Sequence, residues 1–156
     1  MNLRRIAIRL CIAALLGPLW LTAVRATPID IHAAVRVGDA PAIEAALNSG
    51  AGIDAPDNWG RTPLIVALQQ GKLSIVEWLV SRGANVAATD AWRRTPLLVA
   101  TQLRNTAAIR LLLENKAEVD AANNIDITPL IAAAQTGNLE AASFICNSWQ
   151  QNLAWT

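Results

Sequence analysis

The sequence predicts an all-α repeat solenoid of about four stacked helix pairs, and three observations carry that reading. The tripeptide Thr62-Pro63-Leu64 returns as Thr95-Pro96-Leu97 and as Thr128-Pro129-Leu130, at a fixed interval of 33 residues and without a gap. An alanine stands three residues past each leucine, as Ala67, Ala100 and Ala133. Between copies, two short apolar-periodic segments are followed by a polar arm, the pattern of a helix pair and its connection. A period of this length describes a row of small units, each hiding its apolar side against the next copy.

The chain opens with a segment unlike the rest. Arg4, Arg5 and Arg9 form a positive front, Leu10 to Val24 is an apolar run interrupted by Gly17-Pro18, and Val24-Arg25-Ala26 offers small residues for cleavage. This is the pattern of a signal peptide over residues 1–26. The run falls short of the ~20 residues that cross a bilayer as a helix, and Pro18 weakens any helix there. The alternative is a retained N-terminus, which would make the chain a membrane-anchored structural or assembly element of the envelope. Arg4-Arg5 also loosely resembles a twin-arginine export signal. Cys11 follows Arg9 and Leu10 rather than the small residues expected of a lipid-attachment site.

Removal of residues 1–26 takes four arginines, leaving nine basic residues against twelve acidic ones, a net charge of about −3 where the whole chain carries +1. A field that attracts nucleic acid is therefore not expected. Of two cysteines only Cys146 remains, so no intramolecular disulfide is available and packing must supply the stability. A secreted eukaryotic domain of this size usually carries paired cysteines, so the bacterial periplasm is the expected compartment.

The remaining 27–156 form one repeat domain with units at about 27–56, 57–89, 90–122 and 123–156. The first lacks a preceding connection and begins with the helix Ile31-His32-Ala33-Ala34-Val35-Arg36, as an N-terminal cap. In the second, Thr62 caps a helix that Pro63 opens, Leu64, Ile65, Ala67 and Leu68 give it a buried face, and Gly71 ends it in left-handed geometry. A second helix presents Leu73, Val76, Trp78, Leu79 and Val80 and stops at Gly83, and an arm with a turn at Asp90-Ala91-Trp92-Arg93 leads on. Trp78 aligns with Leu111 and Phe144, and Cys146 with Val80 and Leu113, so both are expected in the core.

The third unit has Arg104 where its neighbours have Gly71 and Gly137, and Lys116 where others have Gly50 and Gly83. Either this unit is the weakest, or Asn105 and Asn115 take the left-handed conformation by a one-residue shift. In the fourth unit the usual stop gives way to Trp149-Gln150, with Leu153 and Trp155 beyond, expected to fold as a lid over the end of the stack.

Arg61-Thr62-Pro63-Leu64, Gly71-Lys72-Leu73-Ser74-Ile75-Val76-Glu77 and Ser81-Arg82-Gly83-Ala84-Asn85-Val86 resemble the motif of the ankyrin-repeat family, and the likeness runs from about Asp30 to Trp149. The resemblance implies a curved stack of helix pairs with short β-hairpin fingers, used to bind other proteins without catalysis. It places Arg36, Gln69, Gln102 and Gln135, beside Val37, Gln70, Leu103 and Thr136, on the concave face. The family's histidine after the leucine is replaced by Ile65, Leu98 and Ile131, with His32 in the first copy.

Trp59, Trp92 and Ile125 hold one finger-tip position, 33 residues apart. Large apolar groups at projecting tips are frequent interface anchors, or they stack on one another to tie the fingers together. Arg61, Arg94 and Ile127 flank the polar ladder of Gln69, Gln102 and Gln135, so the two arginines are expected to make the middle of the groove positive and suited to an acidic patch. The expected partner-binding set is thus Trp59, Arg61, Gln69, Gln70, Trp92, Arg94, Gln102, Leu103, Ile125, Ile127 and Gln135. One histidine and one cysteine far apart make no ligand set or catalytic pair, and no phosphate loop or nucleophile motif occurs. No cofactor and no metal are expected, the partner is another protein, and the chain is expected to be a monomer that leaves the membrane once the signal is removed.

Overall fold

The computed structural model describes residues 30–153; the expected signal peptide and Trp155 lie outside the described residues. Eight helices follow one another: α1 (Ile31–Val37), α2 (Ala40–Asn48), α3 (Pro63–Gln69), α4 (Leu73–Ser81), α5 (Pro96–Gln102), α6 (Thr106–Glu114), α7 (Pro129–Thr136) and α8 (Leu139–Leu153). Each odd helix packs on the even helix after it, odd helices pack on odd helices, and α4, α6 and α8 pack in sequence behind them. The result is two parallel rows, with the core between them.

The start of each odd helix is chemically encoded. Thr62, Thr95 and Thr128 accept hydrogen bonds at Oγ1 from the N–H groups of Ile65, Leu98 and Ile131, and a proline occupies the first turn after each. Asp30 takes the same role in α1, accepting from His32 N–H at 2.9 Å. It stands one residue later than the threonine position, where the aligned Ile29 has no acceptor to offer. Asp39, Asn105 and Asn138 cap three of the even helices, each accepting at Oδ1 from an N–H three residues on at 3.1 Å. Lys72, the fourth member of that row, offers no such bond.

Burial reveals which way each position faces. Leu64, Ile65, Leu97 and Leu98 are fully buried, whereas Leu130 and Ile131, the same positions in the last unit, are 42% and 41% exposed. These side chains face the next unit, and at the end of the described stack no further unit covers them. Ile75, Val76 and Leu79 form the buried face of α4. Trp78 is only half-buried: it packs on the core from outside while the Arg82 guanidinium lies over its ring at 4.7 Å. Cys146 is exposed, contrary to expectation, because the face of α8 that turns inward carries Ala141 and Ile145.

Among the described residues no strand forms, so the expected β-hairpin fingers are hydrogen-bonded turns rather than ladders. The residues Arg104 (φ 56°) and Lys116 (φ 61°) themselves adopt the left-handed conformation. Asn105 (φ −85°) and Asn115 (φ −92°) do not, because Asn105 is held as the cap of α6 and Asn115 as the cap residue ending it. A non-glycine residue in this region costs about 1 kcal/mol, so the third unit carries strain that its neighbours avoid with glycine. The C-terminal segment is one helix continuing to Leu153, and Trp149 on it stands half-exposed, lining a pocket with Val119, Thr128 and Leu130 at the end of the stack.

Candidate protein-binding surface

Three finger turns precede α3, α5 and α7, and they share one construction. Asp57, Asp90 and Asn123 each fold back so that Oδ1 accepts from the N–H two residues on (2.9, 2.9 and 3.1 Å) and from the N–H four residues on (2.9 Å in all three). The first residue's N–H donates in turn to the carbonyl of the fifth, in Asp57 to Arg61, Asp90 to Arg94 and Asn123 to Ile127. The fourth residue takes positive φ: Gly60 at 71°, Arg93 at 58°, Asp126 at 59°. Each turn is thus closed around one side-chain oxygen, and the third residue is thrown outward at its tip.

Those third residues are Trp59, Trp92 and Ile125, exposed by 52%, 44% and 70%. They do not tie the fingers together by mutual burial. The backbone links the fingers instead: Ala91 N–H donates to Trp59 C=O at 3.0 Å, and Asn124 N–H to Trp92 C=O at 3.2 Å. Gly60 is required at the first of these links, since a Cβ there would stand 2.9 Å from Ala91 N.

The arginines behave differently from expectation. Arg61 grips Asp57 Oδ2 through Nε at 2.8 Å and Nη2 at 2.7 Å, and Arg94 grips Asp90 Oδ2 through the same two nitrogens at the same distances. Both carboxylates are almost wholly shielded from water, and each guanidinium also covers the tip tryptophan of its own finger, at 4.6 Å from the Trp59 ring and 4.9 Å from the Trp92 ring. Their charge is therefore spent inside the finger, and they do not make the surface positive. Burial raises the pKa of Asp57, but hydrogen bonds from the Arg61 guanidinium and from the backbone of Arg61 and Trp59, with the Arg61 charge, outweigh it and hold the carboxyl below its usual value.

The third finger supports this account from within the chain. Where Ile127 replaces the arginine, Asn123 replaces the aspartate, keeping the two backbone hydrogen bonds and dropping the charge that would have no partner. A buried carboxylate without a counter-charge is costly, and the neutral amide avoids it.

Arg61 also joins the finger to the helix behind it, donating from Nη1 to Gln69 Oε1 at 2.7 Å. Fingers and the ends of the odd helices thus form one surface. Gln70, Gln102, Leu103 and Gln135 lie exposed on it, while Gln69 and Ile127 are partly covered. At the start of the stack, Asp30, Arg36, Trp59 and Arg61 bound an open cleft of about 680 Å³. His32 lies beneath this cleft, buried, with Nε2 donating to Ala55 C=O at 2.9 Å. Among the described residues no group of three His, Cys, Asp or Glu side chains could hold a metal, and no helix is long and apolar enough to cross a membrane.

This architecture of paired short helices, threonine-proline caps and side-chain-closed fingers defines a repeat-type binding scaffold. The profile of the family described as Ankyrin repeats (3 copies) matches residues 27–90 and again 87–154, and the chain belongs to that family. Its members are modules of protein–protein interaction rather than enzymes. Comparison with curated proteins gives no match. The motif spacing pointed to the surface; what it did not reveal was that Arg61 and Arg94 are internally neutralised, although aspartate four residues before each was the available signal.

Proposed function

We propose that this protein is a non-enzymatic interaction module of the bacterial cell envelope that binds one partner protein through its fingers and the ends of its odd helices. Binding stabilises, chaperones or inhibits that partner. The observation that carries the reading is the pair of tip tryptophans, held outward by closed turns and kept exposed although each is a large apolar group. Rigid aromatic side chains in water at a projecting edge lose little freedom when a partner covers them, which makes them efficient anchors. The envelope assignment rests on the N-terminal sequence, with Arg4, Arg5, Arg9 and the apolar run to Val24.

Affinity capture from envelope extracts of the producing cell tests the reading. The wild-type chain should retain one protein that the Trp59→Ala/Trp92→Ala variant loses, with the helical circular dichroism of the two chains unchanged. Equal retention by both chains contradicts the assignment of this surface.

A further inference from the structure

We infer that the partner segment received by this surface is acidic, and that Arg93 and Arg104, rather than the expected Arg61 and Arg94, read its carboxylates. The inference rests on the docking surface proposed above and names the chemistry it selects.

Arg93 stands where the first finger has Gly60, and Arg104 where the neighbouring units have Gly71 and Gly137, and both adopt left-handed φ values of 58° and 56°. Glycine takes that conformation at no steric cost, while an arginine does so against a penalty. Strain of this kind clusters at functional sites, and since Lys116 and Asp126 share it, placement decides which side chains have a use. Neither side chain has a use within the fold: both residues are exposed, and among the described residues neither forms an ion pair, in contrast to Arg36, Arg61, Arg82 and Arg94.

Their placement gives the use. Arg93 adjoins the tip tryptophan Trp92, and Arg104 adjoins Leu103 at the end of α5, so two unspent cations flank the two most exposed apolar groups of the third unit. The even helices and the arms behind them carry Glu77, Glu114, Glu118, Asp120 and Glu140 against Arg110 and Lys116, none of them in an ion pair among the described residues, so that row has an acidic excess. Asp126, at the tip position after Ile125, bounds the cationic patch on the side of the fourth unit. An acidic segment is drawn to the third unit and repelled by the even-helix row and the last finger, which fixes its site. Its apolar side chains would cover Trp92 and Leu103.

Selection of a phage-displayed library of random peptides of about twelve residues against the full chain tests this, with Arg93→Gly/Arg104→Gly and Trp59→Ala/Trp92→Ala chains in parallel. The glycine variant relieves strain, so it should unfold at higher urea concentration than the wild type, which separates lost recognition from lost folding. The wild-type chain should enrich peptides combining Asp or Glu with aromatic or leucine residues. The glycine variant should bind the enriched peptide about tenfold more weakly, the scale of two exposed charge pairs, and should lose most of the salt dependence. Enriched peptides that are neutral or basic, or that bind the glycine variant equally well, overturn the inference while leaving the docking surface standing, provided the tryptophan variant loses them. Enrichment that survives in the tryptophan variant, or none from the wild-type chain, overturns both.

Discussion

Exchanging the chemistry of the second finger for that of the third tests whether charge inside these turns is matched pair by pair. Arg94→Ile leaves the fully buried Asp90 carboxylate with its two backbone N–H donors but without its cation. Breaking a buried ion pair from one side costs about 3–5 kcal/mol. Arg94 is a quarter exposed and the backbone donors remain, so the expected loss is nearer to 2 kcal/mol. Asp90→Asn keeps an oxygen for the same two N–H groups, as Asn123 does, and costs about 1 kcal/mol through the lost charge-assisted bonds. The double variant rebuilds the neutral Asn–Ile arrangement of the third finger and should also cost only about 1 kcal/mol. With a urea slope of roughly 2 kcal/mol/M, the midpoint should fall by about 1 M, 0.5 M and 0.5 M respectively. A double-variant shift equal to the sum of the singles, about 1.5 M, would mean that the residues do not act as a unit.

Other predictions follow from the same geometry. Gly60→Ala places a Cβ 2.9 Å from Ala91 N at a φ of 71°, and should destabilise by about 2 kcal/mol while accelerating hydrogen exchange at Ala91, whose amide makes the link between the fingers. Lys116→Gly removes a strained side chain with no ion-pair partner among the described residues, and should raise the thermal midpoint, by about 0.5–1 kcal/mol in stability. The carboxyl of Asp57 is held below the ~3.9 of an unfolded chain, so the folded form binds fewer protons there. Its stabilisation is present above about pH 4 and is lost as pH falls through the folded pKa. Urea midpoints measured from pH 6 to pH 2 should therefore decline less steeply in Asp57→Asn than in the wild type.

The parts of the fold that depend on periodic spacing were legible in the sequence. Thr-Pro at 33-residue intervals located the odd helices because capping and proline's fixed φ act within a few residues. The tip positions of Trp59, Trp92 and Ile125 followed from the same count. Effects that depend on which side chain reaches which are not legible from spacing. Arg61 and Arg94 read as surface charge in the sequence, whereas in the structure Asp57 and Asp90 fold beneath them. Cys146 aligned with apolar residues, but that position on α8 turns outward. At Arg104 the sequence allows either a weak unit or a left-handed turn shifted to Asn105, and the capping demand at Ala108 N–H holds the asparagine in place against the shift.

Site-specific photocrosslinking tests the central claim, that the fingers and odd-helix ends receive the partner and the even helices do not. A photoreactive phenylalanine analogue would replace Trp92, Gln70 or Leu103 on one side and Glu77, Glu114 or Glu140 on the other, in the producing cell. One and the same protein should be crosslinked from all three positions of the first set and from none of the second. A protein captured only from Glu77, Glu114 or Glu140 would place the interface on the opposite row of helices and contradict the account.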